Sequence, residues 1–382
     1  MKFRVERDVL AEAVAWVART LPTRPPVPVL AGLLLEAGAE GLTLATFDYE
    51  VSSRASIDAD VAEPGRVLVS GRLLTEIARS LPSRPVDVAL EDSDRKVVIT
   101  CGPSRFVLLT LPLEDYPALP EMPEGAGQVG GGAFAQAVGQ VAVAAGRDDT
   151  LPVLTGIRME FAGDRVTLAA TDRYRLAVRE LVWSPDRSGA EAIALVRART
   201  LADTARALAD APQVAVALTG TGAGEGLIGF EGTIEGHSRR TTTRLVDGEF
   251  PKYRALLPAE SSSLAAIDTG AFIESVKRVA LVAERNTPVR LSFSDGELRL
   301  EAGTGDEAQA VEVVAASLSG DPLTIAFNPQ YLLDGLTAIG TPVAELAFTT
   351  PTKPAVLAGR AEVDAAADLA YRYLLMPVRL SG

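Results

Sequence analysis

Residues 28–48, PVLAGLLLEAGAEGLTLATFD, lie over residues 152–172, PVLTGIRMEFAGDRVTLAATD, at a constant offset of 124 with no gap. A third copy, PVRLSFSDGELRLEA, occupies residues 288–302 with a small deletion. A chain that repeats itself at this period folds as similar units, so the repeat constrains the architecture before any motif is weighed. Upstream of each copy, apolar residues recur at i, i+4 and i+7: Leu10, Val14 and Val17; Phe134, Val138 and Val141; Phe272, Val276 and Val279. That spacing is one face of an amphipathic helix. Each first anchor is followed, 14 residues on, by a polar turn position: Arg24, Asp148 and Asn286.

Each aligned copy alternates in the manner of two strands joined by a short Gly- or Asp-containing turn, a β-hairpin. A second helix is predicted in every unit, at 72–81, 199–208 and 330–339. Each is preceded by a strand (RVLVS, AIALV, LTIAF) and followed by alternating segments such as VDVAL, VAVAL and AELAF. The units close on similar tails: DYPALP, EFPKYRALLP and YLLMPVRL. Turn-rich stretches, PEGAGQVGGG and PAESSS, separate them. The expected fold is α+β: three homologous domains over residues 1–123, 128–258 and 262–382, each with two helices packed on β-sheets.

Composition narrows the chemistry. One cysteine, Cys101, and one histidine, His237, rule out an internal disulfide and leave too few ligands for a Cys/His metal site. His237 sits in a polar stretch and reads as a surface histidine, and Cys101 ends an alternating strand as a small buried hydrophobe. The glycine-rich segments VGGGAF and LTGTGAGEGLIG lack a Walker Lys-Ser/Thr and the strand–GxGxxG–helix context, so they read as a linker and a hairpin loop. No catalytic residue, metal or cofactor is expected. No apolar run approaches membrane-spanning length and no signal peptide is apparent, so the expected compartment is the cytoplasm. The formal net charge of −13 argues against gripping nucleic acid by overall charge. Arginines nevertheless gather on the predicted helices, while acids crowd into EDSD, PEMPEG and GTGDEAQAVE.

The three tandem units, TDRYRLAV (171–178), FDYEVSSR (47–54), SRFVLLTLP (104–112), LVDGEFPKYRALLP (245–258), AFNPQYLLDGL (326–336) and the terminal YLLMPVRL together resemble the bacterial DNA polymerase III β subunit, the sliding clamp, over essentially the whole chain. The resemblance implies a non-catalytic processivity factor. Six clamp-fold domains of a head-to-tail homodimer would close into a ring around duplex DNA, their helices lining the hole. Arg24, Arg72, Arg147 and Arg199 are implied DNA contacts, independent of base sequence. A groove of the second and third domains would take short linear peptides of DNA polymerases, the clamp loader and repair proteins. The residues implied there are Leu154, Thr171, Arg173, Tyr174, Arg175 and Leu176, with Pro251, Leu256, Leu374, Met376, Pro377, Val378 and Arg379. Arg173 stands where many clamps carry glycine, and Ala255 where some carry a basic residue, which leaves the peptide preference open. The implied dimer contact sets Phe106 and Leu108 of one chain against Leu281 and Val282 of the next. Two rivals stand beside this reading: a specialised clamp paralogue, and a repeat-fold enzyme whose carboxylate site would need clustered acids.

Overall fold

The structure is a computed structural model that describes residues 1–91, 95–187, 189, 191–219, 226–283, 287–303 and 308–379. The turn expected at Asn286 lies outside these, as do parts of the EDSD and GTGDEAQAVE runs.

Among the described residues six α-helices fall two to a repeat: α1 (Arg7–Val17), α2 (Gly71–Ser80), α3 (Gly131–Ala142), α4 (Ala198–Ala207), α5 (Thr269–Ala280) and α6 (Pro329–Ile339). The i, i+4, i+7 anchors point inward in α1, α3 and α5; Val17, Val141 and Val279 have no exposed surface. Caps set the helix starts where the sequence supplies them. The Asp268 carboxylate accepts from the Ala271 N–H at 2.8 Å, and Asn328 Oδ1 accepts from Gln330 and Tyr331 at 2.9 and 3.3 Å. Pro329 follows at the first helical position of α6, where its missing N–H is not needed, and Gly340 ends the helix at φ 68°.

The chain divides into two compact units, one of Met1–Ala135, Trp183–Ala190 and Asp203–Leu245, the other of Gln136–Val182, Glu191–Ala202 and Val246–Gly382. Among the described residues the first holds one fourteen-stranded sheet and the second one of twelve strands. Every ladder is antiparallel. The core of the first unit lies between α1 and α2 and the sheet, where Leu10, Val14 and Leu74 meet Leu33, Leu44 and Val67. A second cluster in that unit, Val29, Leu30, Leu34, Ala45 and Leu68, is covered by Leu113, Tyr116 and Leu119. In the second unit Ala169, Leu176, Val178 and Leu374 pack with Phe250 and Tyr253.

One ladder in each unit joins successive repeats, which is why compaction does not follow the repeat boundaries. In the first unit, His237–Arg244, the last strand of the second repeat, pairs with Val51–Ile57 of the first, Arg240 opposite Arg54. In the second unit, Asp368–Leu375, the last strand of the third repeat, pairs with Arg175–Val182 of the second, Arg175 opposite Leu375.

Candidate functional site

The hairpin turn Thr171–Arg175 organises one wall of a cleft in the second unit. The Asp172 carboxylate accepts from the Tyr174 and Arg175 N–H groups at 3.0 and 3.1 Å, a side-chain-closed turn typical of Asp. Arg173 is forced to φ 78° at its apex. Below the turn, Thr171 Oγ1 donates to the Arg175 carbonyl at 2.7 Å and accepts from the Arg173 N–H at 3.2 Å. The carboxy-terminal tail is fixed beside it, since the Met376 N–H donates to the Tyr174 carbonyl at 2.9 Å.

The cleft encloses about 630 Å³, within the range that holds a ligand or several peptide side chains. It is lined by that turn, by the segment after α3 (Ala145 to Leu154), and by Gln330, Tyr331 and Asp334 of α6. The α3 segment is closed by the Gly146 N–H donating to the Leu154 carbonyl at 2.7 Å. Asp148 Oδ1 accepts from both the N–H and the hydroxyl of Thr150. Those bonds first, and the Arg173 charge more weakly, hold its carboxyl below the usual range.

Arg175 ties the wall to α6. Its guanidinium donates to Asp172 Oδ2 at 3.0 Å, to Asp334 Oδ2 at 2.5 Å and to the Tyr373 hydroxyl at 3.3 Å. It also lies 4.4 Å from the Tyr331 ring centre, a cation–π contact. Burial alone would disfavour the charge, but Tyr373, Asp334 and Asp172 outweigh it and hold Arg175 protonated above its ordinary value. The Tyr174 and Tyr331 rings stack at 6.2 Å, and Tyr174 keeps 61% of its surface exposed. An apolar, aromatic rim over a rigid charged floor suits an extended segment with apolar anchors.

Of the residues implied by resemblance, Leu154, Arg173, Tyr174 and Arg175 line this cleft directly. Thr171, Leu176 and Leu374 do not: strand alternation turns them inward, where they back the groove from the core. Met376 and Val378 are exposed on the tail with Arg379, Pro377 is half-buried, and the Val378 N–H donates to the Ala326 carbonyl. Pro251 is half-buried and Leu256 exposed, in the linker over the Phe250–Tyr253 cluster and outside the cleft lining. Gln330, Tyr331 and Asp334 were missed by sequence reasoning. The available signal was polar residues at i and i+4, with a tyrosine between, on the first turns of a helix whose other face is apolar; the Gln330 amide indeed donates to Asp334 at 2.8 Å.

A neighbouring concavity of about 580 Å³ in the same unit gathers Arg147, Arg197 and Arg199 with Asp149. Arg147 lines both cavities. Arg24 and Arg72, in the first unit, are exposed, Arg72 lying 3.7 Å from Glu76. Other helix cations are more closely occupied: Arg206 with Asp203, Lys277 with Glu274 and Arg278 with Glu312.

Besides the strands that end each sheet, two interior strands keep part of one edge unpaired among the described residues. Ser104–Leu111 pairs over 104–109 with Lys96–Cys101 on one side only, and Ala310–Ser319 pairs over 310–315 with Glu297–Ala302 on one side only. Leu108 is 4% exposed and belongs to the core of the first unit, and Phe106 is half-buried against it. Leu108 is thus taken up in the core of its own unit, whereas Phe106 keeps part of its surface accessible. Alternation puts Val107 and Leu109 outward, Leu109 at 70% exposure. Leu281 is 84% exposed and Val282 half-buried. Cys101 is buried, and among the described residues no cluster of His, Cys, Asp or Glu could hold a metal.

Three family models cover the chain in order: DNA polymerase III beta subunit, N-terminal domain, over residues 1–120, central domain over 128–252, and C-terminal domain over 254–378. The chain belongs to the DNA polymerase III beta subunit family. It is 64% identical to the beta sliding clamp of Streptomyces coelicolor over 382 residues, covering all of both chains. It is 47% identical to the beta sliding clamp homolog GriR of Streptomyces muensis, covering 99% of each. In three dimensions it matches a Pseudomonas aeruginosa sliding clamp solved with bound griselimycin, with a TM-score of 0.88 at 28% identity over the full length of both. Family membership makes the chain a sliding clamp, the non-catalytic processivity subunit of a DNA polymerase, built of three clamp domains. The helices and antiparallel sheets of the beta subunit fold thus account for the threefold repeat. No described helix is long and apolar enough to cross a membrane.

Proposed function

We propose that two copies of the chain close head-to-tail into a ring that encircles duplex DNA in the cytoplasm and tethers polymerases, loader and repair proteins through peptides seated in the Tyr174–Tyr331 cleft. The domains would run over 1–123, 128–258 and 262–382. One observation carries the reading: the last strand of each later repeat sits on the corresponding strand of the repeat before it. His237–Arg244 does so on Val51–Ile57, and Asp368–Leu375 on Arg175–Val182. The same rule leaves Ser104–Leu111 without a seat and Ala310–Ser319 without a guest. A second copy supplies each, and a heterologous contact of this kind closes into a ring when its rotation allows.

The apolar side chains fit that pairing. Val107 and Leu109 face outward from one edge; Val311, Val313 and nearby Leu281 are exposed at the other. Arg24, Arg72, Arg147 and Arg199 are the proposed phosphate contacts, with Arg197 joining the last two around one concavity. Phosphate contacts of this type position a duplex without reading bases, so the ring slides. The overall charge of −13 is no obstacle, because confinement by a closed ring needs no net attraction.

The test is topological. Loaded by its clamp loader onto a nicked circular plasmid, the protein co-elutes with DNA in gel filtration and is released when the plasmid is linearised. Retention on linear DNA equal to that on circles would falsify the ring.

A further inference from the structure

Two cations stand at the cleft with no ion-pair partner among the described residues, Arg147 and Arg173. Arg173 is held at φ 78°, where an L side chain costs roughly 1 kcal/mol and glycine costs nothing. Tyr49, at the same turn position of the first repeat, has φ 74°, so the angle belongs to the turn and does not dictate the side chain. An arginine thus stands at a strained position on the wall of the cleft. The acids of the cleft are already engaged. Asp172 and Asp334 are bound to Arg175, Asp334 also accepts from Gln330, and Asp148 turns one oxygen into Thr150. The lip formed by Arg147, Arg173 and Asp148 carries surplus positive charge.

We propose that Arg173, assisted by Arg147, is a specificity-determining residue that selects extended peptides carrying carboxylates beside their apolar anchors. This rests on the peptide-groove reading above and adds the charge of the occupant. Exposed ion pairs contribute modestly, so they rank partners that share the same anchors more than they set affinity itself.

The experiment uses the full-length protein and fluorescence anisotropy of a labelled glutamine-and-leucine clamp-binding peptide in two forms. One has glutamates on both sides of the anchors, the other glutamines in their place, so the result does not depend on the direction in which the peptide lies. The acidic form is expected to bind about fivefold more tightly at low salt, with the ratio narrowing as salt screens the pairs. Arg173→Gly, which suits the positive φ and so folds, is expected to bring the ratio toward one, and Arg173→Lys to restore most of it. A wild-type ratio near one overturns the proposal, as does a ratio that Arg173→Gly leaves unchanged. If neither form binds the wild-type protein, the groove reading falls and this proposal with it.

Discussion

Tyr49 and Arg173, 124 positions apart, adopt the same left-handed conformation at the apex of the same turn, with φ of 74° and 78°. Each apex is preceded by an aspartate that accepts from the two following N–H groups, at 2.9 and 2.7 Å for Asp48 and at 3.0 and 3.1 Å for Asp172. The carboxylate, not the apex residue, holds the turn. Asp48→Ala is therefore expected to lower stability by about 1 kcal/mol through the loss of two hydrogen bonds that fix the turn, one exposed and one part-buried. Chemical denaturation is the measurement, and a variant within error of wild type contradicts the assignment.

Asp172 and Asp334 differ from Asp48 because both bind Arg175. Asp334→Ala leaves a buried guanidinium with one carboxylate and frees the Tyr331 ring beside it. A loss of roughly 1–3 kcal/mol in stability is expected, together with weaker peptide binding. Isothermal titration with a clamp-binding peptide separates the two effects; unchanged affinity would show that α6 does not shape the cleft.

The outward face of Ser104–Leu111 leads to a direct test of assembly. Leu109→Asp or Leu281→Asp places a charge in the proposed contact, and sedimentation is expected to shift from twice the 40.1 kDa chain mass to the chain mass itself. Leu108→Ala, by contrast, opens a core cavity and is expected to lower stability by about 2–4 kcal/mol. If Leu109→Asp stays dimeric, the contact lies elsewhere.

Burial, then the nearby Glu160 charge, pushes the Tyr253 hydroxyl up to about 12. An unfolded tyrosine ionises near 10, so the folded state keeps a proton that the unfolded state gives up. This contribution to stability is whole below about pH 10 and is lost as pH rises through that value toward about 12. Melting curves across this alkaline window are expected to fall less steeply for Tyr253→Phe than for wild type. Parallel slopes would assign the alkaline loss to other groups.

If Arg147, Arg197 and Arg199 hold phosphates, replacing all three with alanine is expected to reduce the salt slope of duplex binding by about 2–3, near 0.9 per lost contact. The residual slope, read by titrating a short duplex at several salt concentrations, reports what the remaining cations hold. An unchanged slope removes these residues from the DNA path.

Much of the fold was legible because it repeats. The i, i+4, i+7 anchors gave α1, α3 and α5, and the predicted second helices at 72–81, 199–208 and 330–339 start within one residue of α2, α4 and α6. The turn of the cleft was legible too, since its residues are adjacent in the chain. Gln330, Tyr331 and Asp334 were not, because only folding brings α6 to that turn. The facing of Ser104–Leu111 was ambiguous for a different reason: Phe106, Val107, Leu108 and Leu109 are all apolar, and the flanking polar residues fall on both parities, Arg105 on one and Ser104 and Thr110 on the other, so period-two alternation does not say which side is in. That the first repeat fills the place equivalent to the second repeat's wall of the groove was likewise hidden. Leu30, the counterpart of Leu154, has no exposed surface and is covered from Tyr116 and Leu119, whereas Leu154 remains half-open.

The two unseated strand edges have a consequence for a single copy of the chain. Exposed ladders with outward valines and a leucine are templates for any passing strand, and nothing in their geometry distinguishes the correct guest from a neighbouring unfolded chain. In the proposed ring a newly made protomer is therefore most vulnerable while it is unpaired, and variants built to be monomeric are expected to need added charge or proline along 104–109 and 310–315 to stay in solution.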